Sequence, residues 1–302
     1  MNDAELLEAL APAAERLLER HLGTAKEWFP HEFVPWSRGR DFVVGEEFDE
    51  DTATLPPGVQ SALLLNLLTE DNLPHYYQTI VSHFGSAGVW GEWNRRWTAE
   101  EGRHSIVIRD YLTCSRSIDL HQLERARMAQ VSSGLVPNPP TIAEGIVYVA
   151  LQELATRISH RNTGKLLDDP VGDAIMTRVA ADENLHHLFY RDLVTAGLEA
   201  DPSTIVLAVD TQVRFFEMPG AGVPNFKEHA RLIAEVGVYD FASHHDNILV
   251  PVVVKHWRLD QLTGLTPEAE EARDRVLHHI ERVGVVANRM AARRERKAGE
   301  PD

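Results

Sequence analysis

Two segments of the chain carry the same polar motif inside an apolar helical stripe, and this restricts the folds open to the sequence. The motif is Glu-x-x-His, found at Glu101 and His104 and again at Glu183 and His186. The matching stripes are Trp97, Glu101, His104, Ile108, Tyr111 and Val179, Glu183, His186, Tyr190, Leu193. Because residues at 3–4 spacing share one helix face, the pattern predicts two helices with charged groups at the same level of their buried faces.

Two further predicted helices each carry one glutamate within an apolar stripe. Glu70 lies among Leu63, Leu67, Leu73, Tyr77 and Val81, and Glu153 lies with Ile146, Val149 and Thr156. Four carboxylates cannot be buried near one another without cations to offset their charge. One Glu from each of two helices and Glu-x-x-His from each of two others form the ligand set of ferritin-like di-iron and di-manganese bundles. The sequence therefore predicts a buried site for two metal ions, and its carboxylate and imidazole ligands suit iron or manganese.

Simpler interpretations apply to each element alone. With 15 His in the chain, a given Glu has about a one-in-twenty chance of a His three places on, and a single such pair is usually a solvated helix face. The stripe of Trp90, Trp93 and Trp97 is by itself typical of core packing. The matched register of all four elements favours the metal site.

The remaining pattern is helical throughout, which predicts an all-α, ferritin-like four-helix bundle with additional flanking helices. We expect one domain over residues 1–302. The predicted metal-binding helices are 59–84, 89–117, 141–161 and 171–197, and C-terminal helices are expected within 203–296 at 203–216, 225–236, 240–259 and 266–296. A further helix is expected at 119–130. Proline and glycine make 23–58 loop-rich and separate the helices.

Composition narrows the functional classes. The net charge of −16 argues against general nucleic-acid binding. The single cysteine, Cys114, cannot form an intramolecular disulfide, which fits a reducing, cytoplasmic location. No signal segment is recognisable at the start, and the longest apolar runs are too short for a membrane span.

Four segments resemble the metal-helix signatures of the acyl-[acyl-carrier-protein] desaturases, and they are more similar to the actinobacterial members than to the plant members. They are Thr69-Glu70-Asp71-Asn72-Leu73-Pro74, Trp97-Thr98-Ala99-Glu100-Glu101-Gly102-Arg103-His104, Gln152-Glu153-Leu154-Ala155-Thr156-Arg157-Ile158-Ser159-His160 and Ala181-Asp182-Glu183-Asn184-Leu185-His186. Two later segments, Gly237-Val238-Tyr239 and Leu262-Thr263-Gly264-Leu265, match as well. The resemblance extends from about Trp28 to about residue 275.

The resemblance implies an O₂-dependent enzyme that inserts a cis double bond into a saturated acyl chain on acyl carrier protein. It implies two Fe ions, a ferredoxin-type electron donor and a homodimer. The implied metal ligands are Glu70, Glu101, His104, Glu153, Glu183 and His186. Thr156 falls at the oxygen-side threonine of the family. Trp97, Asp182 and Trp28 fall at positions linked to electron transfer or ligand support, and Asp182 is a reasonable partner for the second ring nitrogen of His104.

Some residues depart from the family pattern, and other functions remain open. Gly102 replaces the usual Asn, and Arg157 stands where plant members carry an aromatic residue. The ligands alone also fit a di-iron hydroxylase or N-oxygenase, or a ferritin-like iron-handling protein, because fold does not determine function. Near the C-terminus, the basic run Arg289, Arg293, Arg294, Arg296 and Lys297 is either a dock for the acidic carrier or a solvated helix end.

Overall fold

The computed structural model describes residues 1–48, 55–220 and 222–298, and within these residues all regular structure is helical. The α-helices are α1 (Asp3–Thr24), α2 (Pro30–Phe33), α3 (Pro57–Glu70), α4 (Leu73–Phe84), α5 (Gly88–Ser115), α6 (Leu120–Ser133), α7 (Ile142–Leu166), α8 (Pro170–Ala200), α9 (Pro202–Arg214), α10 (Phe226–Glu235), α11 (Phe241–His244) and α12 (Pro267–Ala298). A π-helix (His245–His256) and two 3₁₀ turns (Trp36–Arg38 and Leu259–Gln261) complete the regular elements described. The predicted all-α class is confirmed.

Local signals set where two of the bundle helices, α7 and α8, begin. The Thr141 side chain accepts a hydrogen bond from the Glu144 backbone N–H at the start of α7. At the start of α8, Asp169 accepts from the Val171 N–H, and Pro170 occupies the first turn, where it needs no hydrogen bond. These caps fix the beginning of each helix and so help to set the register of the ligands that follow.

The four helices with the predicted ligands pack together as a bundle. Helix α7 lies along α8, α3 contacts α5 and α7, and α5 contacts α8. Helix α1 packs across α5, α7 and α8 on the outside of the bundle, while α9 and α12 pack against each other. The four helices that carry the predicted ligands are therefore flanked by further helices.

The polar insertions lie between two apolar clusters of the core. On α5, Trp97 belongs to the larger cluster and Val107 to the smaller one. On α8, Phe189 belongs to the larger cluster and Val179 to the smaller one. The Glu-x-x-His motif of each helix falls between these positions, so apolar packing on both sides holds the charged groups inside the bundle.

Two predicted helices differ from the structure. The expected helix 59–84 is divided into α3 and α4 by Asp71 and Asn72. Pro74 explains the break, because proline has no N–H for the Glu70 carbonyl four residues earlier, whereas it is accepted in a first helical turn. The expected helix 240–259 is a short α11 followed by a π-helix that contains Pro251. Proline lacks the N–H that an α-helix would use there, and such a defect favours an altered hydrogen-bond register.

No helix in the part of the chain that the structure describes is long and apolar enough to cross a membrane.

Candidate metal centre

Six charged or titratable side chains converge at the centre of the bundle. They are Glu70 from α3, Glu101 and His104 from α5, Glu153 from α7, and Glu183 and His186 from α8. None of the six is more than 6% exposed. The structure thus brings together all six residues that the sequence nominated as ligands.

These side chains form two overlapping groups of four. One group is Glu70, Glu101, His104 and Glu183, and the other is Glu101, Glu153, Glu183 and His186. Within each group, one ligand atom per residue lies within 4.8 Å of the others. Ligands on opposite sides of an ion at about 2.1 Å are about 4.2 Å apart, so each group has the dimensions of one ion site.

Glu101 and Glu183 belong to both groups, and Glu101 shows how the groups are joined. Its Oε2 lies 3.3 Å from His104 Nδ1, while its Oε1 lies 2.8 Å from His186 Nδ1. Glu183 Oε1 lies 3.1 Å from His104 Nδ1. A carboxylate with one oxygen directed to each group is placed to bridge two ions.

Several atoms of the cluster are buried without a well-directed hydrogen bond, although some of them lie close to one another. These are Oε1 of Glu101, Oε2 of Glu153, Oε1 of Glu183, and Nδ1 of His104 and of His186. Each such atom costs about 1–3 kcal/mol or more in a protein interior, because it has lost water and gained no partner. Since the atoms lie on residues of the same cluster, their grouping fits bound cations better than independent packing defects.

Ionising all the carboxyl groups of the cluster is electrostatically unfavourable without added positive charge. Burial, reinforced by the charge of Glu183, raises the pKa of Glu153 well above its usual range. The same two causes raise the pKa of Glu70. Divalent ions would remove this penalty, so both the donor atoms and the electrostatics fit a pair of metal ions.

His104 is oriented from outside by Asp182. The His104 Nε2 atom lies 3.5 Å from Asp182 Oδ2, and that oxygen also accepts a hydrogen bond of 2.8 Å from the Trp28 indole N–H. Arg103 and Arg178 pair with the same carboxylate. Burial alone would raise the pKa of Asp182, but the hydrogen bond from His104 and nearby positive charge lower it to about 2. Asp182 therefore stays ionised and leaves His104 Nδ1 directed toward the cluster.

His186 has a matching partner that the sequence-based list lacks. Glu100 Oε2 lies 3.0 Å from His186 Nε2 and 2.9 Å from Nε2 of His21 on α1. Burial alone would raise the pKa of Glu100, but hydrogen bonds from these two imidazoles lower it below its usual range. The sequence contained a signal for Glu100, since it directly precedes Glu101 as Asp182 directly precedes Glu183.

Two further contacts support the carboxylates of the cluster. His160 Nε2 lies 2.8 Å from Glu70 Oε1. The Trp97 indole N–H donates to Glu153 Oε1 at 3.1 Å.

Thr156 lies one helical turn after Glu153, and its hydroxyl is 2.9 Å from Glu183 Oε2 and 3.0 Å from the Glu153 carbonyl oxygen. The structure thus places Trp97 and Thr156 beside the cluster, and their roles stay a prediction. His160 was not singled out in the sequence.

A largely apolar cavity reaches the cluster. Thr156 and Glu183 form part of its wall beside the other carboxylates, Glu70, Glu101 and Glu153. Leu73, Ile80, Phe84 and Val149 form apolar parts of its wall. A chain of methylene groups is the kind of ligand that such a wall favours, because apolar surface is removed from water on both sides.

Comparison with known proteins identifies relatives along nearly the whole chain. The profile of the family described as fatty acid desaturase matches residues 2–301. The chain is 39% identical to a Mycobacterium tuberculosis protein named as acyl-[acyl-carrier-protein] desaturase DesA1, over 98% of this chain and 90% of the relative. It is 34% identical to stearoyl-[acyl-carrier-protein] 9-desaturase 6, chloroplastic, of Arabidopsis thaliana, over 85% of this chain and 69% of the relative.

A solved structure supports the same relationship. The X-ray structure of DesA2 from M. tuberculosis, which is named as an acyl-carrier-protein desaturase, superposes with a TM-score of 0.72 at 26% sequence identity. The match covers 89% of this chain and 99% of that one.

Proposed function

The chain belongs to the fatty acid desaturase family, and on that premise we propose that it introduces a cis double bond into a saturated fatty acyl chain carried on acyl carrier protein. The observation that carries this proposal is the pair of buried four-residue groups that share Glu101 and Glu183 at the wall of an apolar cavity. The names of the relatives support the class of substrate.

We propose that the two groups hold two iron ions. Glu70 and His104 would bind one ion, Glu153 and His186 the other, and Glu101 and Glu183 would bind both. When bound, iron supplies the redox chemistry with O₂ that protein side chains lack. The balanced reaction converts –CH₂–CH₂–, O₂, two electrons and two protons into –CH=CH– and two waters.

The residues of the chain supply position, dryness and hydrogen bonds. The cavity walls bind the acyl chain with two adjacent carbons beside the cluster, and burial of the site excludes water. The Thr156 hydroxyl, at 2.9 Å from Glu183 Oε2, is placed to donate a hydrogen bond or pass a proton at the cavity side of the cluster. Trp28, through Asp182, provides a hydrogen-bonded connection from the outside of the bundle to His104.

The partners follow from the balance of the reaction and from the resemblance. The reaction takes two external electrons, which require a donor, and we predict a ferredoxin-type protein. The homodimer and the cytoplasmic location also stay predictions. The proposed carrier dock at the C-terminus is only partly described. Arg289, Arg293 and Arg296 are exposed on α12, whereas the side chains of Arg294 and Lys297, and residues 299–302, lie outside the described part.

A turnover assay tests the proposed function. Iron-loaded protein is given O₂, a ferredoxin reducing system and a panel of saturated acyl carrier proteins, and the products are identified by mass spectrometry. We expect a cis-monoene from at least one substrate. Glu101→Ala should abolish it, while Glu92→Ala, an exposed glutamate on the same helix, should retain it. An exclusively hydroxylated product would instead assign the chain to the di-iron hydroxylases, and oxygen use without any acyl product would reject both.

A further inference from the structure

The two histidines of the cluster are held by reciprocal contacts between α5 and α8. Asp182 on α8 contacts His104 on α5, and Glu100 on α5 contacts His186 on α8. In both cases the acid directly precedes a shared glutamate, so the same local sequence holds the imidazole of the opposite helix. The arrangement has an approximate twofold symmetry in its central contacts.

The symmetry ends at the outer partners of the two acids. Asp182 accepts from the Trp28 indole and pairs with two arginines, Arg103 and Arg178. Glu100 accepts at Oε1 from Arg96, whose side chain is 39% exposed. At Oε2, Glu100 has His21 from the N-terminal helix as its second partner. Both acids therefore have a partner from outside the four-helix bundle, but the partner of Glu100 Oε2 is the imidazole of His21, whereas that of Asp182 Oδ2 is the Trp28 indole.

We propose that His21 is a positioning residue for the metal ion held by His186. This inference rests on the proposed metal centre and assigns an additional residue to it. His21 and His186 approach the same oxygen, Glu100 Oε2, at 2.9 and 3.0 Å. A carboxylate oxygen only accepts, so both Nε2 atoms donate to it. The hydrogen of His186 is thereby kept on Nε2, which leaves Nδ1 as the atom that can bind a metal.

Packing keeps His21 in this position. Its side chain is buried, with 3% of the residue exposed. The ring meets Trp93 edge-on at 5.0 Å and lies nearly parallel to His186 at 5.9 Å. Trp93 is itself stacked on Phe189 of α8 at 3.7 Å. These contacts restrict the ring, so that its Nε2–H is presented to Glu100 without a further loss of rotamer freedom.

Loss of the His21 donor should act on one ion site more than on the other. Without it, Glu100 would be held mainly by the partly exposed Arg96, and its Oε2 would be free to turn away from His186. His104 would keep Asp182, which has its own donors and no contact with His21. Contacts behind a ligating imidazole typically change metal affinity or activity by about 10–100-fold, so we expect a weakening of this size at the His186 site alone.

The test is a titration of metal-free protein with Co²⁺ under anaerobic conditions, followed by calorimetry and visible absorbance. The parent should bind two ions per chain. In His21→Leu, one of the two should bind about 10–100-fold more weakly and the other should be unchanged. In His21→Gln, whose amide nitrogen reaches a similar position, the affinity should recover most of this loss. Thermal unfolding of each metal-free variant checks that the bundle is folded.

Arg20→Gln is the matched control. Arg20 precedes His21 and fastens α1 to α8 through Asp192 and the Leu188 carbonyl, without touching the cluster. It should leave both affinities unchanged. The proposal is overturned if His21→Leu binds both ions like the parent, if His21→Gln is as weak as His21→Leu, or if Arg20→Gln reproduces the loss. A parent that binds fewer than two ions would instead reject the metal centre itself.

Discussion

Loading the metal-free protein with divalent ions should release protons from the side chains of the cluster. Burial alone would lower the pKa of His104 and of His186, but surrounding carboxylates, Glu101 among them, raise both well above the usual value. Burial and the charge of Glu183 raise the pKa of Glu153 well above its usual range. In the absence of metal these shifts favour the protonated form of all three groups.

Metal ligands must give up such protons, because the bound forms are neutral imidazole and carboxylate. We therefore expect about three protons to leave per chain when two ions bind at pH 7. Metal affinity should rise with pH for the same reason, since protons compete with the ions for the ligand atoms. Calorimetric titration with Co²⁺ in buffers of different ionisation enthalpy measures the number released.

Variants separate the cluster from other sources of protons. Glu153→Gln cannot carry the carboxyl proton, so the number released should fall by about one. Glu92→Gln removes an exposed carboxyl group on α5 and should leave the number unchanged. Binding of two ions without proton release, or equal release by Glu153→Gln and the parent, would refute the assignment of these groups as ligands.

Three other variants test separate features. Thr156→Val removes the hydroxyl near Glu183, so the iron content should be unchanged. The amount of alkene formed per O₂ consumed should fall about fivefold or more, which corresponds to the loss of about 1 kcal/mol. An unchanged ratio would exclude a role of the Thr156 hydroxyl in coupling O₂ use to product. Burial and two neighbouring imidazoles lower the pKa of His244 to about 4, so the unfolded state binds more protons below pH 6.5. The free energy of unfolding should therefore decrease as the pH is lowered, and this group should contribute about 2 kcal/mol of the decrease at pH 5. The decrease from pH 7 to pH 5 should be smaller in His244→Gln, and equal decreases in the two proteins would contradict this. In Gly145→Val the new side chain points toward Phe84 at the cavity wall. The value of kcat/KM for acyl substrates should drop about tenfold or more while the iron content is retained, and the drop should be smaller in Gly145→Ala. An unchanged kcat/KM would show that the acyl chain lies elsewhere.

The helical architecture could be predicted because apolar periodicity and proline or glycine breaks are local. The division of the first ligand helix also had a local signal in Pro74, which a continuous apolar stripe obscured. The π-helix was less accessible. Its apolar residues do not distinguish one helical register from another over twelve residues, and Pro251 indicates a defect without specifying its form.

The six central residues could be predicted because their spacing on each helix already places them on one face. The residues that contact the six central side chains differ in whether the sequence indicates them. Glu100 had a signal in its position before Glu101, parallel to Asp182 before Glu183. His21 had none, because its contact with Glu100 joins positions 79 apart in sequence and depends on how α1 packs across the bundle. Pattern within a helix therefore identifies ligands, whereas the groups that orient them depend on tertiary packing.

Anomalous diffraction at the iron edge, from crystals of the iron-loaded protein, tests the paired centre most directly. We expect two iron peaks per chain, about 3.5–4 Å apart, each within bonding distance of Glu101 and Glu183. One peak should also contact His104 and the other His186. A single peak within the bundle, or iron bound away from Glu101 and Glu183, would contradict the centre on which the proposed desaturation depends.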